Sequence, residues 1–274
     1  MPRFRLTIEY AGTRYSGWQI QKNARTIQGE IDRAVRTITG RKDFDLYGSG
    51  RTDAGVHAAA QVAHLDVVTS LPPHTLRARL NDELPADIHI LDAVVVRHRF
   101  HARHDAVARR YVYQIARRRT AFHKAYVWWV KDPLDAARMR AAARAFVGMG
   151  DFRSFADVDD NERDGDAASS STSTRVLVER VEIVEDGDLV LVVVEGSHFL
   201  WKMVRRMVGV LVEVGRGALE VDAAARYLLE DSGAPARLTA PASGLFLARV
   251  YYPSDARDPA VRPITPIDSP DRGR

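Results

Sequence analysis

The sequence predicts an α+β fold made of two similar halves. Three observations point there. Residues 3–10 alternate strictly, with Phe4, Leu6, Ile8 and Tyr10 set against Arg5, Thr7 and Glu9, the period of a half-buried strand. The first hundred residues then read strand, helix, strand, strand, helix, strand, with few residues between elements, which is the mark of one tightly packed α+β unit. The second half runs through strands and helices in a similar order. The expected organisation is an N-terminal half over 1–100, a C-terminal half over 101–252 and a disordered tail over 253–274.

After the first strand, Gly12 and Gly17 mark a loop that carries Arg14, Tyr15 and Trp18. Trp18 reads equally as a core plug or as part of a site. Thr26 is placed to cap a helix whose apolar positions Ile27, Ile31, Val35 and Ile38 recur at helical spacing. Gly48, Gly50 and Gly55 then break the chain into turns, and Gln61 to Val67 is a strand. Pro72 and Pro73 start a helix with Leu76, Leu80 and Leu84 on one face, and Ile88 to Val96 is the next strand. The segment ARRYVYQIARRR is a strand with Tyr111, Tyr113 and Ile115 on one face. Asp132 and Pro133 cap a helix running to about Val147.

Residues 157–174 are acidic and then serine-rich, and read as a mobile surface loop. Val176 to Glu195 holds two strands joined at Asp186–Gly187, and the second, LVLVVVE, is apolar on both faces, as a central strand is. GSHFLWKMVRRMVG reads as a helix with Leu200, Val204, Val208 and Leu211 as its buried stripe and Lys202, Arg205 and Arg206 on a neighbouring face. Val221 to Glu230 is a short helix. Pro241 and Gly244 form a turn from which Leu245 enters a last strand.

Composition narrows the chemistry. The 274 residues include no cysteine, which excludes disulfides, thiolate metal sites and cysteine nucleophiles and suits a reducing cytoplasm. No apolar run reaches membrane-spanning length, and the N-terminus lacks the apolar core of a signal peptide. The net charge of +4 is modest, but it is unevenly spread. Arg97, Arg99, Arg103, Arg109, Arg110, Arg117, Arg118, Arg119 and Lys124 face a single acid, Asp105, over one short stretch with tyrosines interleaved. Such a patch fits a phosphate backbone.

The chemical centre is the stretch LYGSGRTDAGVHAAAQVAHLD, residues 46–66. Its glycines permit turns that push neighbouring side chains into a cleft. Asp53 has Arg51 two residues before it and His57 four after it, and a nearby cation favours an ionised carboxylate. A positioned carboxylate serves as nucleophile, general base or metal ligand. A metal would want further carboxylates or histidines close by, and here an arginine takes the neighbouring place. On turn residues alone, Asp-Ala-Gly is only a turn.

The longer word GSGRTDAGVHA closely resembles the active-site motif of the tRNA pseudouridine synthase A (TruA) family. The N-terminal loop with its tyrosine, glycine and tryptophan, the segment RHRFHAR, GDFRSFAD and GSHFLWKMVRRMVG are also similar to that family, so the resemblance covers roughly residues 3–252. It implies the pseudouridine synthase fold: two α/β, ferredoxin-like halves with joined, mostly antiparallel sheets and a central active-site cleft. It implies a cofactor-free isomerase, with no metal, that converts uridine to pseudouridine at positions 38, 39 and 40 of the tRNA anticodon stem-loop, working as a homodimer. Residue by residue, it implies Asp53 as nucleophile with Arg51 as its ion-pair partner and Arg205 as a second arginine near the carboxylate. Tyr111 then lies against the base and Leu245 belongs to the segment closing the pocket below it, while Arg14, Arg109, Arg110 and Lys202 grip RNA. One departure is Arg206, where the family pattern suggests a polar amide. The rival readings are the same chemistry on another RNA site and a catalytically idle RNA-binding module. A glycosidase is weaker, because it would usually need paired carboxylates.

Overall fold

The computed structural model describes residues 1–157, 173–257 and 260–267. Along the chain lie β1 (Arg3–Tyr10), α1 (Ile27–Thr39), β2 (Asp45–Gly48), β3 (His57–Asp66), α2 (Pro73–Glu83), β4 (Ile88–Val96), β5 (Ala108–Ala116) and β6 (Trp128–Trp129). They are followed by α3 (Ala136–Ala143), β7 (Gly148–Asp151), β8 (Arg175–Asp186), β9 (Leu189–Gly196), α4 (Met203–Gly215), α5 (Ala223–Leu229), α6 (Ala234–Arg237) and β10 (Leu245–Tyr251). No helix among the described residues is long and apolar enough to cross a membrane.

The chain divides into two units, and neither is one continuous stretch. Unit 1 comprises Met1–Arg110 and the strand residues from Phe246 onward; unit 2 comprises Tyr111–Leu245 and the residues from Ala260 onward. The sequence-based boundary near residue 100 is therefore shifted, and the two halves exchange C-terminal segments. The reason is strand pairing. Phe246 and Leu247 pair in parallel with His57 and Ala58 of β3, which draws the end of the chain back to the first unit.

In unit 1, β1 pairs antiparallel with both β3 and β4. β2 pairs antiparallel with the far end of β3, from Asp45↔Asp66 to Gly48↔Ala63. The order β4-β1-β3-β2 is that of a ferredoxin-like unit. One edge of β3 thus serves two strands: β10 at its start and β2 at its end. Between them the chain leaves the sheet as the loop 49–56. Phe4, Leu6 and Ile8 are buried together with Ile27, Ile31 and Val35 of α1 and Leu76 and Leu80 of α2. α1 begins where the sequence predicts: the Thr26 side chain accepts from Gly29 N, and Gly40 ends the helix in the left-handed region at φ 66°.

In unit 2, β5, β9, β8 and β7 are neighbours in that order, and β6 runs parallel to β5. β5-β9-β8 repeats the β1-β3-β2 arrangement of unit 1. All eight residues of β9 are buried, as its two-sided apolar pattern requires. Two helices differ from their sequence reading. α3 starts after Asp135, whose carboxylate accepts from Ala137 N and Arg138 N, so the true cap lies three residues beyond Asp132. α4 starts at Met203, because Lys202 adopts φ 59°; Leu200 consequently lies outside the helical stripe.

The C-terminal stretch also departs from the expected disordered tail. Gln114, with no exposed surface, accepts from Ile264 N and Thr265 N through Oε1 and donates to Thr265 Oγ1. Ile267 is buried with Ala116, Val127, Leu189 and Leu191. A buried amide with full hydrogen-bonding capacity and an apolar anchor order residues whose own sequence shows no periodicity. The acidic and serine-rich stretch read as a mobile loop lies mostly outside the described residues.

Close packing in unit 2 is tested at Gly209 of α4, where a Cβ would stand 1.7 Å from the Leu238 carbonyl oxygen. Gly209→Ala is expected to destabilise by about 1–3 kcal/mol or more, read as a lower urea midpoint; an unchanged midpoint would show that Leu238 gives way freely. In unit 1, His64 is buried and its Nδ1 accepts from Ala102 N at 3.2 Å. Burial first, then the nearby charges of Arg3 and His101, push its pKa down to about 4. An unfolded histidine titrates near 6.5, so the fold favours the neutral ring. Its contribution is complete above about pH 6.5 and is lost as the pH falls from there toward 4. Allowing for solvent screening, stability is expected to drop on the order of 1–2 kcal/mol across that window, and the drop should shrink in His64→Gln. Superimposable pH profiles for the two proteins would contradict this.

Candidate active site

The loop 49–56 is pinned from two sides. On one side, the segment 12–18 approaches it backbone to backbone. A Cβ on Gly12 would stand 1.9 Å from the Val56 carbonyl oxygen, and one on Gly17, at φ 92°, would stand 2.5 Å from that of Thr52. Only glycine fits either place. The approach is stitched by Trp18 N donating to Thr52 O at 3.1 Å, Gly55 N to Tyr15 O at 3.2 Å and Gly12 N to His57 Nδ1 at 3.1 Å. Tyr10 Oη and Thr52 Oγ1 share a buried hydrogen bond of 2.8 Å. Trp18 is a core plug, 1% exposed, with its indole beneath Gly48.

On the other side stands Gln61 of β3, which is fully buried. Its Oε1 accepts from Ser49 Oγ at 2.7 Å, and its Nε2 donates to Gly50 O at 3.0 Å. Arg109 adds a third brace: its guanidinium donates to the carbonyls of Ser49 and Arg103, both at 2.9 Å, and to that of Ala106 at 3.3 Å. Asp53 itself is partly exposed, and its carbonyl accepts from Val56 N at 3.1 Å. A fixed backbone thus presents a side chain that retains access to solvent.

The other site residues expected in unit 1 fall as follows. Arg51 is exposed and, among the described residues, makes no hydrogen bond or ion pair. The expected Arg51–Asp53 pair is therefore not formed; an exposed pair gains little over a solvated guanidinium. Arg14 is likewise exposed and without such a partner among the described residues. Arg109 and Arg110, expected to grip RNA, are both buried, at 8% and 6% exposure. The first braces carbonyls, and the second lies over the Tyr251 ring at 5.5 Å.

Unit 2 holds the remainder. Tyr111 is half-buried, with its ring edge-on to Phe199 at 5.2 Å. Arg205 Nε donates to Ala240 O at 2.7 Å, and Ala240 N donates back to Arg205 O at 3.1 Å. Leu245 is buried at the start of β10. Tyr113, which strand alternation marks only as core, is the strut of this assembly. It is fully buried, its hydroxyl donates to Pro241 O at 2.7 Å, and Gly244 packs against its ring. Burial raises the pKa of its phenol, with the charge of Arg205 opposing. Tyr113 and Arg205 together fix the segment 240–245. Lys202 forms an ion pair of 2.5 Å with Asp157 and stands 4.2 Å from the Trp201 ring centre. Arg206, in place of the expected amide, is buried, donates to Ala156 O and pairs with Asp157 at 3.2 Å.

Sequence reasoning missed Gln61, Thr52 and Tyr113 as positioning residues. Gln61 had a readable signal, since a lone amide in the middle of a strand, flanked by Ala60 and Val62, needs partners when buried. Tyr113 had none, because a core tyrosine and a strut look alike in a sequence.

A family model described as tRNA pseudouridine synthase matches residues 6–105 and 142–253. A protein of Nitrobacter hamburgensis named tRNA pseudouridine synthase A is 41% identical over 255 residues, covering 92% of this chain and all of the relative. Proteins of the same name from a Caulobacter species and from Rhodopseudomonas palustris are 42% and 40% identical, each over 92% of this chain and 98% and 100% of the relative. With a family model that reaches into both units, and relatives matched over nearly their whole length, the chain belongs to the tRNA pseudouridine synthase A family.

Proposed function

We propose that this protein isomerises uridine to pseudouridine at positions 38, 39 and 40 of the tRNA anticodon stem-loop, acting in the cytoplasm as a homodimer. Family membership over most of the chain is the observation that carries the reading, and the braced Asp53 loop supports it. A paired uridine must leave its stack to be reached. Asp53 is then the nucleophile toward the nucleoside, and the bond its carboxylate forms there is broken again before product leaves, which restores the free carboxylate. The N1–C1′ bond breaks, the uracil turns, and a C5–C1′ bond forms. The proton on C5 passes to solvent and N1 gains one, so atoms balance and no electrons are transferred.

Rigid backbone around Asp53 matters because catalytic gain depends on holding the attacking group in place before the substrate arrives. Tyr111 offers a ring face to the extruded base, and Leu245 contributes apolar surface beside it. Arg205 supplies a positive charge for the reaction from unit 2. Arg51 and Arg14, both exposed, meet phosphate oxygens.

The test is release of tritium from C5-labelled uridine in unmodified tRNA. The native protein is expected to release it, and Asp53→Asn to release none while binding tRNA with a Kd within a fewfold of native. Equal release by both would remove Asp53 from the chemistry; binding without release by either would favour an idle RNA-binding module. Sequencing the modified positions checks the assignment to 38, 39 and 40. Tyr111→Phe is expected to slow single turnover about tenfold or more with little change in Kd; an unchanged rate would leave Tyr111 a packing residue.

A further inference from the structure

Unit 1 carries a second aromatic assembly outside the Asp53 loop. Tyr47 of β2 lies opposite His64 of β3 in register, and their rings stack at 5.4 Å with 15° between planes. His101 continues the pile at 4.7 Å from His64, and His104 follows at 4.2 Å from His101. The inner ring, His64, is 2% exposed, whereas Tyr47 is 54% exposed; His104 is also exposed. A large ring standing in solvent on a buried ring is an unusual use of surface for a strand tyrosine.

The pile is built rather than incidental. Ala102 N donates to His64 Nδ1, and the amides of Arg103 and His104 both donate to His101 Nδ1, at 3.1 and 3.2 Å. Both Nδ1 atoms are thereby acceptors, and burial lowers both pKa values, so the two rings are neutral and fixed. Arg109 joins the parts, since its guanidinium binds the carbonyl of Ser49, two residues after Tyr47, and that of Arg103, next to His104. The histidines do not form a metal site: among the described residues no group of three or more ligating side chains is placed to hold an ion.

The charge around the pile is mixed, with exposed arginines the larger share. Arg97, Arg99 and Arg103, on the same short segment as His101 and His104, are exposed and make no ion pair among the described residues. Arg117 and Arg118, by contrast, are paired with Glu185 and Asp188. Of the nearby acids, Asp66 is held by Arg3, Asp105 accepts from His101 N at 2.9 Å, and Asp45, opposite Asp66 on β2, is exposed. Exposed π-faces beside uncommitted guanidiniums are how proteins hold unpaired nucleotides.

We infer that Tyr47, with His101 and His104 beside it, is a stacking platform for an unpaired base of the RNA substrate, with Arg97, Arg99 and Arg103 holding the adjoining phosphates. This rests on the reading of the protein as a tRNA-modifying enzyme but assigns a binding site separate from the Asp53 loop. Stacking on one aromatic side chain contributes about tenfold to affinity.

The experiment measures tRNA binding by fluorescence anisotropy at one fixed salt concentration, and tritium release as a function of tRNA concentration. It compares native protein with Tyr47→Ala, Tyr47→Phe and His104→Ala. Tyr47→Ala is expected to raise the Kd and the half-saturating tRNA concentration about tenfold, with the rate at saturation within twofold of native. Tyr47→Phe, which keeps the ring, should bind as native. His104→Ala, at the outer end of the pile, should weaken binding severalfold and serves if Tyr47→Ala fails to fold. Native affinity in both alanine variants overturns the platform. A change of sedimentation coefficient in Tyr47→Ala with native tRNA affinity overturns it in favour of a second copy of the chain on this face. If native protein releases no tritium but binding still depends on Tyr47, the platform stands and the isomerase reading fails. If release is normal and binding is indifferent to Tyr47, the reverse holds.

Discussion

The contact on which the site depends is the near-touching of two backbones, the 12–18 segment and the 52–56 loop. With Gly12 and Gly17 filling the only spaces a hydrogen atom fits, the amides of one strand of chain reach the carbonyls of the other directly. Such main-chain hydrogen bonds leave few soft torsions between the sheet and Asp53. The loop can afford this rigidity because it occupies the gap where β2 has left the edge of β3 and β10 has taken it. A carboxylate on an ordinary long loop would sample many positions; here its Cα is fixed by a sheet edge below and a second loop above.

Unit 2 reaches a similar end with different groups. The Tyr113 hydroxyl and the Arg205 guanidinium each hold a carbonyl of the 240–241 backbone, and Arg206 holds that of Ala156. With Arg109 in unit 1, these residues show how arginine is used in this chain. Its planar fork of donors satisfies several carbonyls at once, so buried turns without secondary structure keep their hydrogen bonds. An arginine-rich sequence therefore divides into two populations, one clamping the fold and one left at the surface.

Much of the fold was legible because the periodic signals were clean. The alternation of β1, the Thr26 cap, the proline start of α2 and the two-sided apolar run of β9 each follow from local rules, and the structure agrees with them. What was not legible depends on distant partners. No local rule shows that Phe246 pairs with His57 or that Gln114 orders residues 264–265. The Asp53 loop was recognisable from its motif, but its bracing was only partly so. Gln61 passed as an ordinary strand residue, Tyr113 read as core, and Arg109 and Arg110 read as surface cations. Burial decides between those alternatives, and burial is set by tertiary neighbours that a linear sequence does not display.

The interleaving of the units has a consequence for synthesis. The first strand of unit 1 begins at Arg3, yet the strand that completes one edge of its sheet is β10, which ends at Tyr251. While the ribosome is still making unit 2, the start of β3 waits with an unpaired edge beside the Asp53 loop. Pairings this distant in the chain form late and slowly, and an uncovered edge in the meantime invites association with other nascent chains. The parallel pairing at the start of β3 is therefore completed only after β10 has been made.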